Sequence, residues 1–260
     1  MSTPKAMPVT SAERVSTLLR TFNLTTAAEE LVPRLVGASM DDAVPVVGEV
    51  LESEAESRHQ RRVDRLRRAS KLPPGKTFDT FDDRRLSAGL RHRLQELSTG
   101  AFLEQAVNVL AFGLPGVGKS HALAALGHRL VQSGHSVLFI ATYQLVQDLL
   151  AAKRDLELPR KLRKLENFQL LILDDIGYVQ QNAEEAEVLF TLLAERYECR
   201  STALTSNLVF SEWDRIFKNK MATAAAIDRL VHHSLILEFD VASYRTERAA
   251  RSQPKGGRRR

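Results

Sequence analysis

Gly113, Pro115, Gly116, Val117, Gly118, Lys119 and Ser120 stand in the run Gly113-Leu-Pro-Gly-Val-Gly-Lys-Ser120. This run fits the spacing G-x-x-x-x-G-K-[ST]. Glycines at 113, 116 and 118 let the backbone turn so that successive N–H groups face one anion. A helix starting at the end of the run adds the partial positive charge of its first turn. Lys119 is placed to reach β- and γ-phosphates, and the Ser120 hydroxyl is placed to ligate Mg²⁺. The chemistry expected here is binding of a nucleoside triphosphate with its magnesium.

A second group completes a site for phosphoryl transfer. Leu170, Leu171, Ile172 and Leu173 lead directly into Asp174 and Asp175. An apolar strand ending in paired acids puts both carboxylates at its C-terminal tip. Asp174 is assigned to Mg²⁺, and Asp175 to orienting or deprotonating an attacking water. Further on, Thr205-Ser206-Asn207 ends another strand pattern. The Asn207 amide at that tip can bond both water and γ-phosphate. Asp175 has one methylene less than the glutamate found in many hydrolysing relatives of such sites, which is compatible with slow hydrolysis.

These residues need a scaffold, and the pattern around them supplies one. Apolar runs at 107–112, 137–141, 169–173, 202–206 and 235–239 read as strands. Segments 119–132, 143–165 and 183–198 between them have helical spacing. Near-continuous apolar strands alternating with helices indicate an α/β fold with a parallel sheet covered on both faces. Ligands bind such sheets at the carboxyl ends of the strands. Residues 11–72 read as helices only, with Val15, Leu18, Leu19 and Phe22 on one face. Thr25 or Thr26 is a candidate cap for the second helix. Pro73-Pro74-Gly75 stops the last helix of that region. The expected organisation is a disordered N-terminus at 1–10, a helical domain at 11–72, a linker at 73–106, the α/β core at 107–245 and a disordered basic tail at 246–260.

The 260 residues carry 37 Lys and Arg against 32 Asp and Glu. The excess is clustered: segments 58–76 and 245–260 are net +7 and +6. The body between them is acidic, and basic stretches are the usual footprint of a polyanion partner. The single cysteine, Cys199, excludes an internal disulfide framework. No signal-peptide pattern and no apolar run of membrane-spanning length occurs, so a cytoplasmic protein without a membrane partner is expected. The pair His232-His233 has no acid or cysteine at metal-ligand spacing, which speaks against a metal site there.

With these motifs in order, the chain resembles the IstB-type ATP-binding proteins, the transposition helpers of bacterial insertion sequences. It is more distantly similar to DnaC-type helicase loaders, and both groups are AAA+ ATPases. The resemblance runs from about Val15 to Arg245. It is carried by Pro73-Pro-Gly-Lys-Thr77 with Phe78 and Phe81, and by Asn108-Val-Leu110. Further motifs are Gly118-Lys-Ser-His-Ala-Leu-Ala124, Asp174-Asp-Ile-Gly-Tyr178, Glu195-Arg-Tyr197 and Thr205-Ser-Asn-Leu208. The last are Phe210-Ser-Glu-Trp213, Ile227-Asp-Arg-Leu230 and Ser243-Tyr-Arg245. Val241 stands where the family often has glycine, a departure that bears on the turn before Arg245.

The resemblance implies an AAA+ P-loop core of five parallel strands between helices, a small all-helical N-terminal domain and no full C-terminal lid. It implies ATP as ligand, with His121 joining the phosphate-loop residues at the nucleotide, and Phe78 and Phe81 as candidates for lining an adenine pocket. AAA+ sites are completed by a neighbouring subunit, so Arg229 is the expected arginine finger, with Arg196 and Arg245 as secondary candidates for that interface. It also places Tyr143, Lys153, Arg154, Arg160, Lys161, Arg163 and Lys164 on the side that faces DNA. The cations among them suit phosphate contacts without base reading. The expected activity is ATP hydrolysis by a homo-oligomer on DNA that presents target to a transposase, with hydrolysis dissolving the assembly. A helicase loader with the same engine is the alternative. A small-molecule kinase is a third reading, and no acceptor signature supports it.

Overall fold

The computed structural model describes residues 10–177, 183–217, 220–241 and 243–244. The chain divides into two compact units between Asp64 and Arg65. The boundary falls inside a helix rather than at the proline stop.

The first unit is built from α1 (Ser11–Thr21), α2 (Thr25–Gly37) and the first part of α3 (Ala43–Ser70). A capping box starts α1. The Thr10 hydroxyl accepts from the Glu13 N–H, and the Glu13 carboxylate accepts from the Thr10 N–H. Val15, Leu19, Ala28 and Val44 are buried together, with Leu31, Leu35, Val47 and Leu51 around them. Of the predicted apolar face, Val15 and Leu19 form this core, while Phe22 is half-buried under the Arg58 guanidinium, 4.2 Å from the ring centre. The expected threonine cap of α2 is not formed. Leu24 holds the cap position without a side-chain bond, and Thr25 is already helical. Lys71 adopts φ 53 after the last turn of α3, and Pro73 and Pro74 follow.

In the second unit five parallel strands lie in the order β2-β3-β4-β1-β5. They are β1 (Asn108–Gly113), β2 (Val137–Ala141), β3 (Leu170–Asp174), β4 (Ser201–Ser206) and β5 (Ser234–Phe239). All four neighbouring pairs are parallel, and each strand falls within a residue of its predicted range. From β1 the chain lays β2 at the far edge and fills inward through β3 and β4. It then crosses β1 to place β5 on the other side. The reversal falls at β1, so the crevice at its carboxyl end is the expected ligand position.

The helix after β1 is α5 (Lys119–Gln132). The stretch predicted as one helix at 143–165 is two, α6 (Thr142–Arg154) and α7 (Leu158–Glu166). Leu156 between them sits at φ 58, and Pro159 is in the first turn of α7, where its missing N–H costs nothing. Then come α8 (Ala183–Arg196), the short α9 (Asp214–Phe217) and α10 (Lys220–Val231). The linker carries its own helix, α4 (Ala88–Leu97), capped by the Ser87 hydroxyl. Leu110, Leu171, Leu173 and Leu204 pack on one sheet face with Leu145 and Leu149 of α6, Leu189 and Leu192 of α8, and Trp213. On the other face α5 comes close at Gly127, where an added Cβ would lie 2.7 Å from Leu72 and 3.1 Å from Ile172. Among the described residues no helix is long and apolar enough to cross a membrane. Of the start expected to be disordered at 1–10, Thr10 is ordered as the cap of α1, and residues 1–9, the basic tail at 246–260 and Arg245 lie outside the described residues.

Candidate functional site

The glycine loop joins the C-terminal end of β1 to the first turn of α5. Gly113, Gly116 and Gly118 take φ values of 148, 83 and 102°, a range that L side chains rarely adopt. A Cβ on Gly113 would also meet the Phe239 carbonyl oxygen at 2.5 Å. Val117 is fully buried and secures the loop from below, while Leu114 and Pro115 are exposed at its tip. The Lys119 ammonium is buried and donates to the carbonyls of Gly113 at 2.6 Å and Leu114 at 2.9 Å. Lysine and loop are thus braced on each other. Ser120 faces the same cleft.

Asp174 and Asp175 lie at the tip of β3, next to β4. Thr205 joins them. Its hydroxyl donates to Asp174 Oδ1 at 2.8 Å and accepts from the Asp175 N–H at 2.7 Å. The Thr142 hydroxyl donates to the Asp174 carbonyl at 3.0 Å. Asp175 adopts φ 63, and the Ile176 N–H returns to the Thr205 carbonyl. The acid pair is therefore fixed by two threonines to which the sequence pattern gave no role. Thr205 pairs with Ala111, two residues before Gly113, so the acids stand across β4 from the glycine loop. Asn207 sits at the tip of β4. Its Oδ1 is buried without a hydrogen-bond partner among the described residues. Gly177 makes room for it, since a Cβ there would lie 2.4 Å from that oxygen.

A cleft of about 300 Å³ opens beside the loop, lined by Lys76, Thr80, Phe81, Gly118, Ser120 and Tyr244 among others. Phe81 is mostly buried and packs against the His121 ring, with centres 5.1 Å apart and planes tilted by 52°. A Cβ on Gly118 would come within 3.2 Å of Phe81. His121 Nε2 lies 3.1 Å from the Thr77 carbonyl and 3.2 Å from the Thr80 hydroxyl. Burial pushes its pKa below 6.5, helped by Lys76 and opposed by the Thr77 carbonyl, so the ring is neutral at pH 7. Tyr244 closes the cleft from the far end of the chain. Its N–H donates to the Gly116 carbonyl at 3.0 Å and its hydroxyl to the Asp82 carbonyl at 2.7 Å. The Arg85 guanidinium covers the Tyr244 ring at 4.6 Å. In the sequence Tyr244 stands out only as one member of the Ser243-Tyr-Arg245 motif. Phe78 meets Phe81 edge-on at 6.4 Å and lies on the outer side of it.

Arg229 is not brought to this cleft. It lies over the Phe190 ring at 4.8 Å and donates to the Ala225 carbonyl. Asn108, the first residue of β1, is buried and ties down the end of α10. Its amide donates to the Leu230 carbonyl at 3.2 Å and the Arg229 carbonyl at 3.5 Å, and its oxygen accepts from the Thr202 N–H at 2.9 Å. Arg229 thus belongs to the N-terminal end of β1, and the glycine loop to the other end. Arg196 is removed as an interface candidate. It is only 2% exposed, and its guanidinium donates to Thr202 and to the carbonyls of Leu165, Phe168 and Ser201. Burial lowers its pKa to about 10, so it stays charged as an internal brace.

The DNA-side candidates lie on α6 and α7. Tyr143, Arg154, Arg160, Arg163 and Lys164 are exposed. Three of the cations have acidic partners: Lys153 with Glu187 at 2.8 Å, Arg160 with Glu157 at 3.2 Å and Lys161 with Asp148 at 3.1 Å. Burial pushes the Asp148 carboxyl up, but bonds from Gln144 and Lys161 outweigh it and hold the group below the usual carboxylate range. Folding therefore brings acids from α6 and α8 to two of the cations expected to face phosphates. Arg154, Arg163 and Lys164 have no ion pair among the described residues.

The strand order, the glycine loop ahead of α5 and the acid tip of β3 define a P-loop nucleotide-binding core of the AAA+ class. The family described as IstB-like ATP binding protein matches residues 16–252, and the chain belongs to it. It is 42% identical over 210 residues to an insertion sequence ATP-binding protein of Sinorhizobium fredii, covering 80% of this chain and 70% of that one. It is 41% identical over 195 residues to the insertion sequence IS21 ATP-binding protein of Pseudomonas aeruginosa, covering 75% and 74%. Among solved structures it resembles the DnaC helicase loader, with TM-score 0.55 and 18% identity over 66% of this chain and 100% of that chain. It also resembles the replication initiator DnaA bound to AMPPCP and single-stranded DNA, with TM-score 0.53 and 18% identity over 66% and 52%. At those identities the likeness to solved structures is one of fold.

Proposed function

We propose that this chain binds ATP with Mg²⁺, assembles on DNA as a homo-oligomer and helps the transposase of its insertion sequence engage target DNA. Hydrolysis then dissolves the assembly. The observation that carries the reading is the juxtaposition of the glycine loop, Lys119 and Ser120 with the Asp174–Thr205 pair one strand away.

In this reading the loop N–H groups and the start of α5 hold the phosphates. Lys119 exchanges its bonds to Gly113 and Leu114 for phosphate oxygens. Ser120 and Asp174 are the residues that would hold Mg²⁺, which would neutralise charge between the β- and γ-phosphates. Asp175 orients water, and the unpartnered Asn207 oxygen accepts from it. Phe81, His121 and Tyr244 flank the nucleoside. Arg229 lies at the other end of β1, so it serves the nucleotide of an adjacent subunit, which makes hydrolysis depend on assembly. The identities of 42% and 41% to insertion-sequence proteins favour a transposase as partner over a replicative helicase.

The test is Lys119→Ala. It should abolish ATP binding in a fluorescent-nucleotide titration and, with it, ordered assembly on DNA seen by electron microscopy. ATP-dependent assemblies formed normally by this variant would refute the proposal.

A further inference from the structure

We propose that Glu198, His232 and His233 form a surface site for a transition-metal dication of the Zn²⁺ class, at the foot of the sheet and away from the nucleotide. The three side chains come from two segments, and the acid that the sequence around His232-His233 does not offer is brought by the fold as Glu198. Glu198 follows the last turn of α8, and the histidines form the turn between α10 and β5. One ligand atom from each lies within 4.8 Å of the others. Glu198 Oε1 is 3.9 Å from His232 Nδ1 and 3.8 Å from His233 Nε2. Those separations are too long for hydrogen bonds. They are close to the spacing of about 3.4 Å between donors that share a tetrahedral ion at about 2.1 Å. All three groups are exposed, so small rotations can close the gap.

One feature sets the cluster apart from a chance surface grouping. Neighbouring residues point to opposite faces in a strand and diverge by about 100° in a helix. Here the turn puts both imidazoles on one side, with ring centres 4.3 Å apart. The Tyr197 hydroxyl lies 2.8 Å from His232 Nδ1, the nitrogen that also faces Glu198, so an ion taking Nδ1 displaces that contact. Two imidazoles and one carboxylate suit Zn²⁺ and leave coordination positions open to water.

The place gives the site a mechanical consequence. The His232 N–H donates to the Asp228 carbonyl, and the His233 carbonyl accepts from the Asn108 N–H at 2.7 Å. An ion here would clamp the end of α8 to the helix that presents Arg229. The site and the glycine loop lie at opposite ends of β1, about 18 Å apart along the strand, so the magnesium of the nucleotide is a separate matter.

The test is isothermal titration of tag-free full-length chain with ZnCl₂, in parallel with Co²⁺ absorption as a report of coordination. One ion per chain is expected, accompanied by a rise in Tm. The double change His232→Ala and His233→Ala should abolish binding, Glu198→Gln should weaken it at least about tenfold, and Tyr197→Phe, which frees Nδ1, should leave it at least as strong. Circular dichroism checks that these exposed changes leave the fold intact. Absence of a one-to-one event would overturn the proposal. So would binding that survives the double histidine change, or binding abolished by Cys199→Ser, which would assign the ion to the neighbouring thiol.

Discussion

The Thr205 hydroxyl donates to the Asp174 carboxylate at 2.8 Å and accepts from the N–H of Asp175 at 2.7 Å. One side chain on β4 therefore fixes both acids at the tip of β3. The hydroxyl spends its donor on Asp174 and an acceptor lone pair on Asp175. Thr205→Val keeps the shape and removes both bonds. An unsatisfied buried polar group costs about 1–3 kcal/mol. The expected outcome is ATP hydrolysis slowed about tenfold or more, with nucleotide affinity little changed because the glycine loop is untouched. Steady-state ATPase rates and a nucleotide titration on the same protein check this. Hydrolysis at the parent rate would show that Thr205 does not position the acids.

The glycine loop was legible because its parts are local in sequence. The loop at 113–120 is one continuous motif, and its glycines are required by backbone angles that side chains rarely adopt. The strands were legible because a strand buried on both faces reads as an apolar run, as at Leu170, Leu171, Ile172 and Leu173. Thr205, Thr142, Asn108 and Tyr244 were not legible as site residues. Their roles depend on partners about thirty to more than a hundred positions away. The same reason defeated the reading of Arg196, two of whose acceptors, the carbonyls of Leu165 and Phe168, lie about thirty positions earlier in the chain. Lys153 and Lys161 read as free for phosphate because Glu187 and Asp148 meet them only in the folded chain. The break at Leu156, set by a positive φ, had no residue signal of the usual glycine kind.

Arg229 can be assigned by mixing two inactive proteins. Arg229→Ala retains its own glycine loop but offers no arginine to a neighbour. Lys119→Ala binds no nucleotide but still presents Arg229. Each alone should hydrolyse ATP poorly, and the loss of an arginine finger is worth about 10³-fold or more in rate. Mixed on DNA, the two should recover a measurable part of the activity. Recovery follows only if the arginine acts across a subunit boundary. A mixture that stays as inactive as its components would mean that Arg229 serves its own fold, through Phe190 and the Asn108 contact.

His121 predicts a pH dependence. Burial holds its pKa below 6.5, so the folded chain binds this proton later than the unfolded chain as pH falls. The unfolded state binds more protons in that window, and stability must rise with pH across it. The contribution of the neutral ring is complete above pH 6.5 and is lost as pH drops through the folded value. Tm measured from about pH 7.5 down to about pH 5.5 should fall at the acid end. His121→Gln, which keeps a hydrogen-bonding group toward Thr77 and Thr80, should flatten that fall. An unchanged slope in the variant would place the titration on another group.

The cations of α6 and α7 divide into two kinds that should act differently on DNA. Lys161 is engaged by Asp148 and Lys153 by Glu187, whereas Arg163 and Lys164 are exposed on one turn of α7 without an ion pair among the described residues. An ion-paired lysine has to give up its carboxylate before meeting a phosphate, so its net gain on DNA is smaller. Reversing Arg163 and Lys164 to Glu should weaken binding to DNA of any sequence. It should also lower the slope of log K against log salt by about two, one for each phosphate no longer neutralised. Reversing Lys161 alone should change the slope less, and should add repulsion against Asp148 that appears as a lower Tm. Fluorescence anisotropy with two unrelated duplexes at several salt concentrations measures the slopes, and thermal denaturation of the Lys161 variant measures the repulsion. If the slope does not move in the Arg163 and Lys164 variant, phosphate contact by this turn is ruled out, and the basic part of α3, where Arg61, Arg62, Arg65, Arg67 and Arg68 stand, becomes the surface to test.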